Sequence, residues 1–268
     1  MLGTAVTAFS ALALLAPAPA TLIAAGDIAS CGSRTDEATA RIVAKTPGTV
    51  AVLGDAVYER GTAAEFRDCY SWRRFRARTR AALGNHEYLT PGARPARAYF
   101  RLPARGYYSY QLGAWHVVVL NSNCGPAGGC GPGSPQQRWL EADLAATSAT
   151  CTLAYAHHPR YSSGLHGSDR SLDTLWRTLA RGGADVFLAG HDHHYERFAP
   201  HDGIRAFVVG TGGRSLYPVL RRLRSPRSVA LALRHGILQL TLRGRGYDWS
   251  FRGLPGSPAG DAGSGRCA

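Results

Sequence analysis

In five places along this sequence an apolar run stops at side chains able to hold a cation: Asp27, Asp55 with Tyr58, Asn85 with His86, His157, and His191-x-His193. Taken singly, each is a weak signal. A Gly-Asp pair often marks a turn, Gly-Asn-His often opens a capped loop, and a lone histidine in a strand is usually a satisfied core residue. Taken together, they offer two carboxylates, a phenol, an amide and three imidazoles besides His86. Hard oxygen donors suit a trivalent ion, whereas imidazole and amide suit a divalent one. These residue types, in this order, complete two coordination shells. Two cations about 3.5–4 Å apart acidify a bound water and clamp the oxygens of an in-line displacement.

Such convergence needs a scaffold that ends several strands at one edge. The runs Thr21–Ala25, Thr49–Leu53, Ala81–Leu83, Trp115–Leu120, Thr152–Ala156 and Asp185–Ala189 are short, apolar and abruptly ended, as strands covered on both faces are. Helices are expected between them, over Thr35–Lys45, Thr62 to about Arg78, Pro135–Thr147 and Ser171–Arg181. Pro135 suits a first helical turn and Ser171 offers an N-cap. The alternation predicts an α/β fold with layered sheets, in which loops at the carboxyl ends of strands build the site. Phe207–Val209, Ile237–Leu242 and Trp249–Phe251 read as further strands, the last two as a candidate hairpin. No repeat or linker divides residues 21–252, which form one expected domain; residues 253–268 are set apart as a Gly/Pro/Ser-rich tail.

The sequence resembles a known family at Asp27-Ile28-Ala29, Gly54-Asp55-Ala56-Val57-Tyr58, Gly84-Asn85-His86-Glu87, His157-His158-Pro159-Arg160-Tyr161 and Gly190-His191-Asp192-His193-His194-Tyr195-Glu196-Arg197. These look like the five motif blocks of calcineurin-like metallophosphoesterases. Tyr58 and the Tyr-Glu-Arg after the last histidines are similar to the purple acid phosphatase branch, of secreted bacterial type. The resemblance implies a four-layer α/β/β/α sandwich of two mixed β-sheets flanked by helices. It also implies two metal ions. Asp27, Asp55, Tyr58 and His193 would hold the first, typically Fe(III), and Asp55, Asn85, His157 and His191 the second, Zn, Mn or Fe(II). A hydroxide bridging them would attack phosphorus. His86 is placed by resemblance near the phosphate, as electrostatic stabiliser or as proton donor to the leaving alkoxide. His166 is a candidate for a second phosphate-facing histidine, an exposed loop histidine being the alternative. His158 and His194 are read as neighbours of ligands, because adjacent residues on extended chain face opposite ways. His116, His201 and His235 are read as structural. Ala29 stands where many relatives carry a metal-binding histidine and where the purple branch usually has glycine.

The implied activity is a secreted phosphomonoesterase of broad substrate range. The alternatives are a phosphodiesterase acting on nucleotides or phospholipid head groups, and a catalytically idle relative that binds phosphate or metal. Residues 1–20 read as a signal peptide, apolar from Ala5 to Ala16 with Ala18-Pro19-Ala20 before the cleavage point, although no Lys or Arg precedes the run. After its removal no segment reads as a spanning helix. Six cysteines agree with export and suggest disulfides, Cys124–Cys130 and Cys31–Cys69 first. The net charge is +13, but a single lysine, Lys45, stands among the 31 basic residues, which reads as coding bias rather than a selected nucleic-acid surface. The clusters Trp72–Arg78 and Leu220–Arg224 accompany no nucleic-acid motif, so no specific nucleic-acid partner is expected. A positive field would still gather small anionic esters.

Overall fold

The computed structural model describes residues 18–219, 224–256 and 260–268. The leader reading lies outside the described residues as far as residue 17, as do residues 220–223 of the second arginine cluster. One sheet holds β1 (Ala20–Ala25), β3 (Thr49–Leu53), β5 (Thr79–Ala82), β13 (Gly236–Arg243), β14 (Gly246–Gly253) and β15 (Ala262–Arg266). Its order is β15-β14-β13-β1-β3-β5. The other holds β6 (Tyr108–Leu112), β7 (Trp115–Val119), β8 (Cys151–Tyr155), β9 (Val186–Ala189), β10 (Tyr195–Phe198), β11 (Arg205–Val209) and β12 (Ser228–Ala232). Its order is β12-β10-β11-β9-β8-β7-β6. A small bridge joins β2 (Ala29–Ser30) to β4 (Val57–Tyr58).

The layering follows from strand alternation. Val117, Val119, Leu153 and Tyr155 share one core with Leu22, Val50 and Ala81 of the first sheet. Val118, Leu120, Ala154 and Ala156 turn the other way, into a second core with Leu140 of α5 (Pro135–Ala146) and Leu175, Trp176 and Leu179 of α6 (Asp173–Arg181). The first sheet carries α1 (Thr35–Ala44) against β13 and α4 (Arg94–Phe100) against β5. The result is two mixed sheets flanked by helices, as the resemblance implied. β1, β3 and β5 are mutually parallel, as are β7, β8, β9 and β11, so their carboxyl ends share an edge within each sheet.

Three expectations are corrected. The helix from Thr62 to Arg78 is broken into α2 (Ala63–Asp68) and a 3-10 turn over Ser71–Arg78. The break follows Cys69, which is bonded to Cys31, while the Asp36 carboxylate accepts the Ser71 N–H. Trp72 and Phe75 still point inward, leaving the arginines outside. Ser171 does not cap α6; it sits in a preceding 3-10 turn and donates its own N–H to Asp169. Finally, the tail is not outside the domain. β15 pairs with β14, and Cys267 closes a third disulfide with Cys151 beside the two expected ones. Its glycines reflect packing rather than looseness: a Cβ on Gly263 would stand 2.5 Å from the Trp249 ring, and one on Gly265 2.5 Å from the Tyr247 ring.

Candidate metal centre

Asp27 follows β1, Asp55 follows β3, Asn85 follows β5 at the start of α3 (Asn85–Tyr88), His157 follows β8 and His191 follows β9. Leaving a strand this sharply requires unusual backbone. Asp27, Asp55 and His191 all have left-handed φ, at 58°, 47° and 70°. That conformation costs a residue other than glycine on the order of 1–3 kcal/mol, and such strain concentrates at functional sites. Gly84 is required because a Cβ there would overlap the Asp55 carboxylate. Glu87, fully buried, ties two of these loops together by accepting the N–H groups of Asp55, Ala56 and Gly84.

The seven donors meet in two groups. In one, the Tyr58 hydroxyl lies 2.7 Å from Asp27 Oδ1, 2.9 Å from Asp55 Oδ2 and 3.1 Å from His193 Nε2. In the other, His157 Nε2 lies 2.9 Å from Asn85 Oδ1, 3.2 Å from His191 Nδ1 and 3.3 Å from Asp55 Oδ2. Asp55 Oδ2 belongs to both. The imidazoles are oriented from behind: His157 Nδ1 donates to Leu53 O at 2.8 Å and His193 Nδ1 to Ser215 O at 2.6 Å, which leaves each Nε2 facing inward.

The charges fit cations. Among the described residues no lysine or arginine side chain hydrogen-bonds any of the seven donors. Burial and the flanking Asp27 and Asp55 carboxylates push the Tyr58 phenol well above its ordinary range, so alone it keeps its proton. Burial works against charge on His157, yet Asp55 outweighs it and lifts that imidazole to about 10. His191 is driven far down by burial and by the charge on His157. A proton on His157 thus stands where positive charge is wanted. An ion would supply that charge and release the proton.

The profile of the calcineurin-like phosphoesterases matches residues 14–195. The chain belongs to that family. It is 28% identical over 191 residues to an uncharacterised protein of Mycobacterium tuberculosis, covering 62% of this chain and 34% of that one. It is 30% identical over 163 residues to purple acid phosphatase 21 of Arabidopsis thaliana, covering 54% of this chain and 36% of that one. The chain therefore spans about a third of the length of these relatives. Among solved structures, its fold is similar to purple acid phosphatase PPD1 from yellow lupin seeds, with a TM-score of 0.79 at 18% identity, over 92% of this chain and 53% of that one.

Around the seven donors this chain adds groups of two kinds. Those expected nearby are His86 and His166. The His86 ring lies 4.3 Å from the Tyr58 ring and donates from Nδ1 to Glu59 O, leaving Nε2 free. The His166 ring lies 4.2 Å from the His191 ring, and its Nδ1 and backbone N–H both reach Asp192 Oδ1 at 3.0 Å. Fully buried Asp192 is fixed in turn by Ser162. His158 corrects an expectation: its ring is not turned away but sits 4.4 Å from that of His191, hydrogen-bonded to Ser122. The chain has already left β8 at this point, so strand alternation no longer governs it. His194 is buried on Glu196 and His116 on Asp143, as structural residues. Two groups went unread in the sequence. Tyr217 stacks on the His193 ring at 4.0 Å, and the Arg214 guanidinium lies 4.7 Å over the Tyr58 ring while pairing with Glu59. Both sit on the loop after β11, where no motif marks them.

Proposed function

We propose that this chain is an exported phosphatase that hydrolyses small phosphate monoesters at a pair of metal ions. The observation that carries the reading is the sharing of Asp55 Oδ2 between two donor groups that together hold Asp27, Tyr58, Asn85, His157, His191 and His193. Asp27, Asp55, Tyr58 and His193 would hold one ion, and the phenol there favours Fe(III). Asp55, Asn85, His157 and His191 would hold the other, Zn, Mn or Fe(II). When bound, the pair supplies Lewis acidity and a water acidic enough to be a nucleophile at neutral pH.

The chain's own residues do the rest. His86, with Nδ1–H committed to Glu59 O, presents Nε2 to the departing oxygen, and in its imidazolium form it would hand over the Nε2 proton and return to the neutral Nδ1–H ring. His166, oriented by Asp192, offers a second Nε2 on the His191 side. Beside Asn85 an open depression of about 390 Å³, walled by Tyr88, Leu89, Ser122, Pro126 and His158, has room for the alcohol part of the ester. Its openness to solvent supports breadth over strict selection. The three disulfides support export.

Elemental analysis of protein purified without added metal is expected to give two equivalents per chain, and Asp55→Ala to lose both with nearly all turnover. Hydrolysis of 4-nitrophenyl phosphate should exceed that of bis(4-nitrophenyl) phosphate. Preference for the bis-ester would make the protein a phosphodiesterase, and metal-loaded protein inert toward both would make it a binding relative.

A further inference from the structure

Away from the seven donors, a second depression of about 670 Å³ runs along the side of the molecule where the edge strands β5 and β6 meet. Arg73, Arg74, Arg76, Arg80 and Arg101 line it, and no acidic side chain does. All five are exposed, and among the described residues none has a carboxylate within ion-pair distance. Other surface arginines do have partners: Arg34 pairs with Glu37 and Arg67 with Asp68. Like charges gathered around one concavity repel, which a bound anion would relieve.

Three of these guanidinium groups are also held in place by rings. Arg76 lies 4.7 Å over the Tyr99 ring and donates to Tyr99 O, Arg80 lies 5.7 Å over Tyr110, and Arg74 5.4 Å over Phe75. Stacking orients these groups without neutralising them, which reduces the ordering cost of binding. It also covers the Tyr99, Tyr110 and Phe75 faces on which a nucleobase would stack. The volume falls in the range of small-molecule sites, too small for a duplex. Forked donors in a row match the oxygens of consecutive phosphates.

We infer that this groove binds a short run of phosphates, as free oligophosphate or as the tail of a nucleotide, separately from the metal centre. The test is calorimetric titration of the whole protein with a hydrolysis-resistant, methylene-bridged tripolyphosphate, the nucleotide bearing the same tail, and orthophosphate, all at one ionic strength. The triphosphate analogue should bind at least about tenfold tighter than orthophosphate, and Arg74→Ala with Arg101→Ala should weaken it about tenfold or more. The corresponding double lysine variant keeps the charge without the fork and should recover only part of the lost affinity, and turnover of 4-nitrophenyl phosphate should be unchanged in both. Equal binding of the nucleotide would identify the phosphates alone as the determinant; tighter binding would identify the nucleotide as the source. A double alanine variant that binds the analogue as well as the wild type overturns the inference. So does a short DNA that displaces the analogue at lower concentration.

Discussion

Tyr58→Phe removes one oxygen from the first donor group and leaves the ring that touches His86 and Arg214. The variant should fold, lose any visible iron-to-phenolate absorption, and hold that ion more weakly by at least the roughly 10–100-fold that outer partners of a metal site cost. Colour surviving the substitution would remove the phenol from the ligand set. At the second group, the raised imidazole of His157, at about 10, must give up its proton before an ion binds. Apparent affinity for zinc should therefore rise with pH, by about tenfold per unit while one proton is released. Competition with a chelator at pH 6, 7 and 8 reads this directly; an affinity flat over that range would mean that His157 is not a ligand.

At the scale of elements, the closing strand β15 depends on Asp261 at its entry. This carboxylate accepts from Tyr195 at 2.6 Å, from Arg197 at 2.7 and 2.9 Å, and from Trp249 at 3.0 Å, so it ties β10 and β14 to the last segment. Asp261→Ala strands these donors and should cost about 2–4 kcal/mol of stability. Burial raises the Asp261 pKa, but the hydrogen bonds from Arg197 and Tyr195, the Arg197 charge and the Trp249 hydrogen bond outweigh it and the group ends below its ordinary value. A depressed carboxylate stabilises the fold above the unfolded value near ~4 and loses that contribution as pH falls through the folded one. The urea midpoint of the wild type should therefore drop more between pH 7 and pH 3 than that of Asp261→Asn. Equal drops would show that Asp261 is not the group that titrates.

For the whole molecule, the disulfides differ in the length of chain they close. Cys151–Cys267 spans 116 positions and Cys124–Cys130 only 6. By chain entropy the first restricts the unfolded state by about 5 kcal/mol and the second by about 2 kcal/mol. Replacing Cys151 and Cys267 by serine should lower the thermal midpoint distinctly more than the same change at Cys124 and Cys130. The reverse order would show that native-state packing, not loop closure, sets their worth.

By itself the sequence determined which side chains are available as ligands and that Asp27, Asp55, Asn85, His157 and His191 come just after strands, because apolar runs and the polar residues that end them are local features. It also offered the β13–β14 hairpin as a candidate, which the structure extends until only Gly244 and Arg245 separate the two strands. The strands β6, β10, β12 and β15 escaped it. β6 and β12 are part-buried edges with a weak pattern, β10 overlaps the motif Tyr195-Glu196-Arg197, and β15 reads Ala-Gly-Ser-Gly-Arg, its two glycines set against the Trp249 and Tyr247 rings. Only the tertiary structure decided that His158 faces the site, that Asp192 holds His166, and that Arg214 and Tyr217 reach in from a loop without a motif. These depend on which strands pair and how two sheets stack. That is fixed by packing between segments far apart in the chain, and no short window of sequence contains both partners.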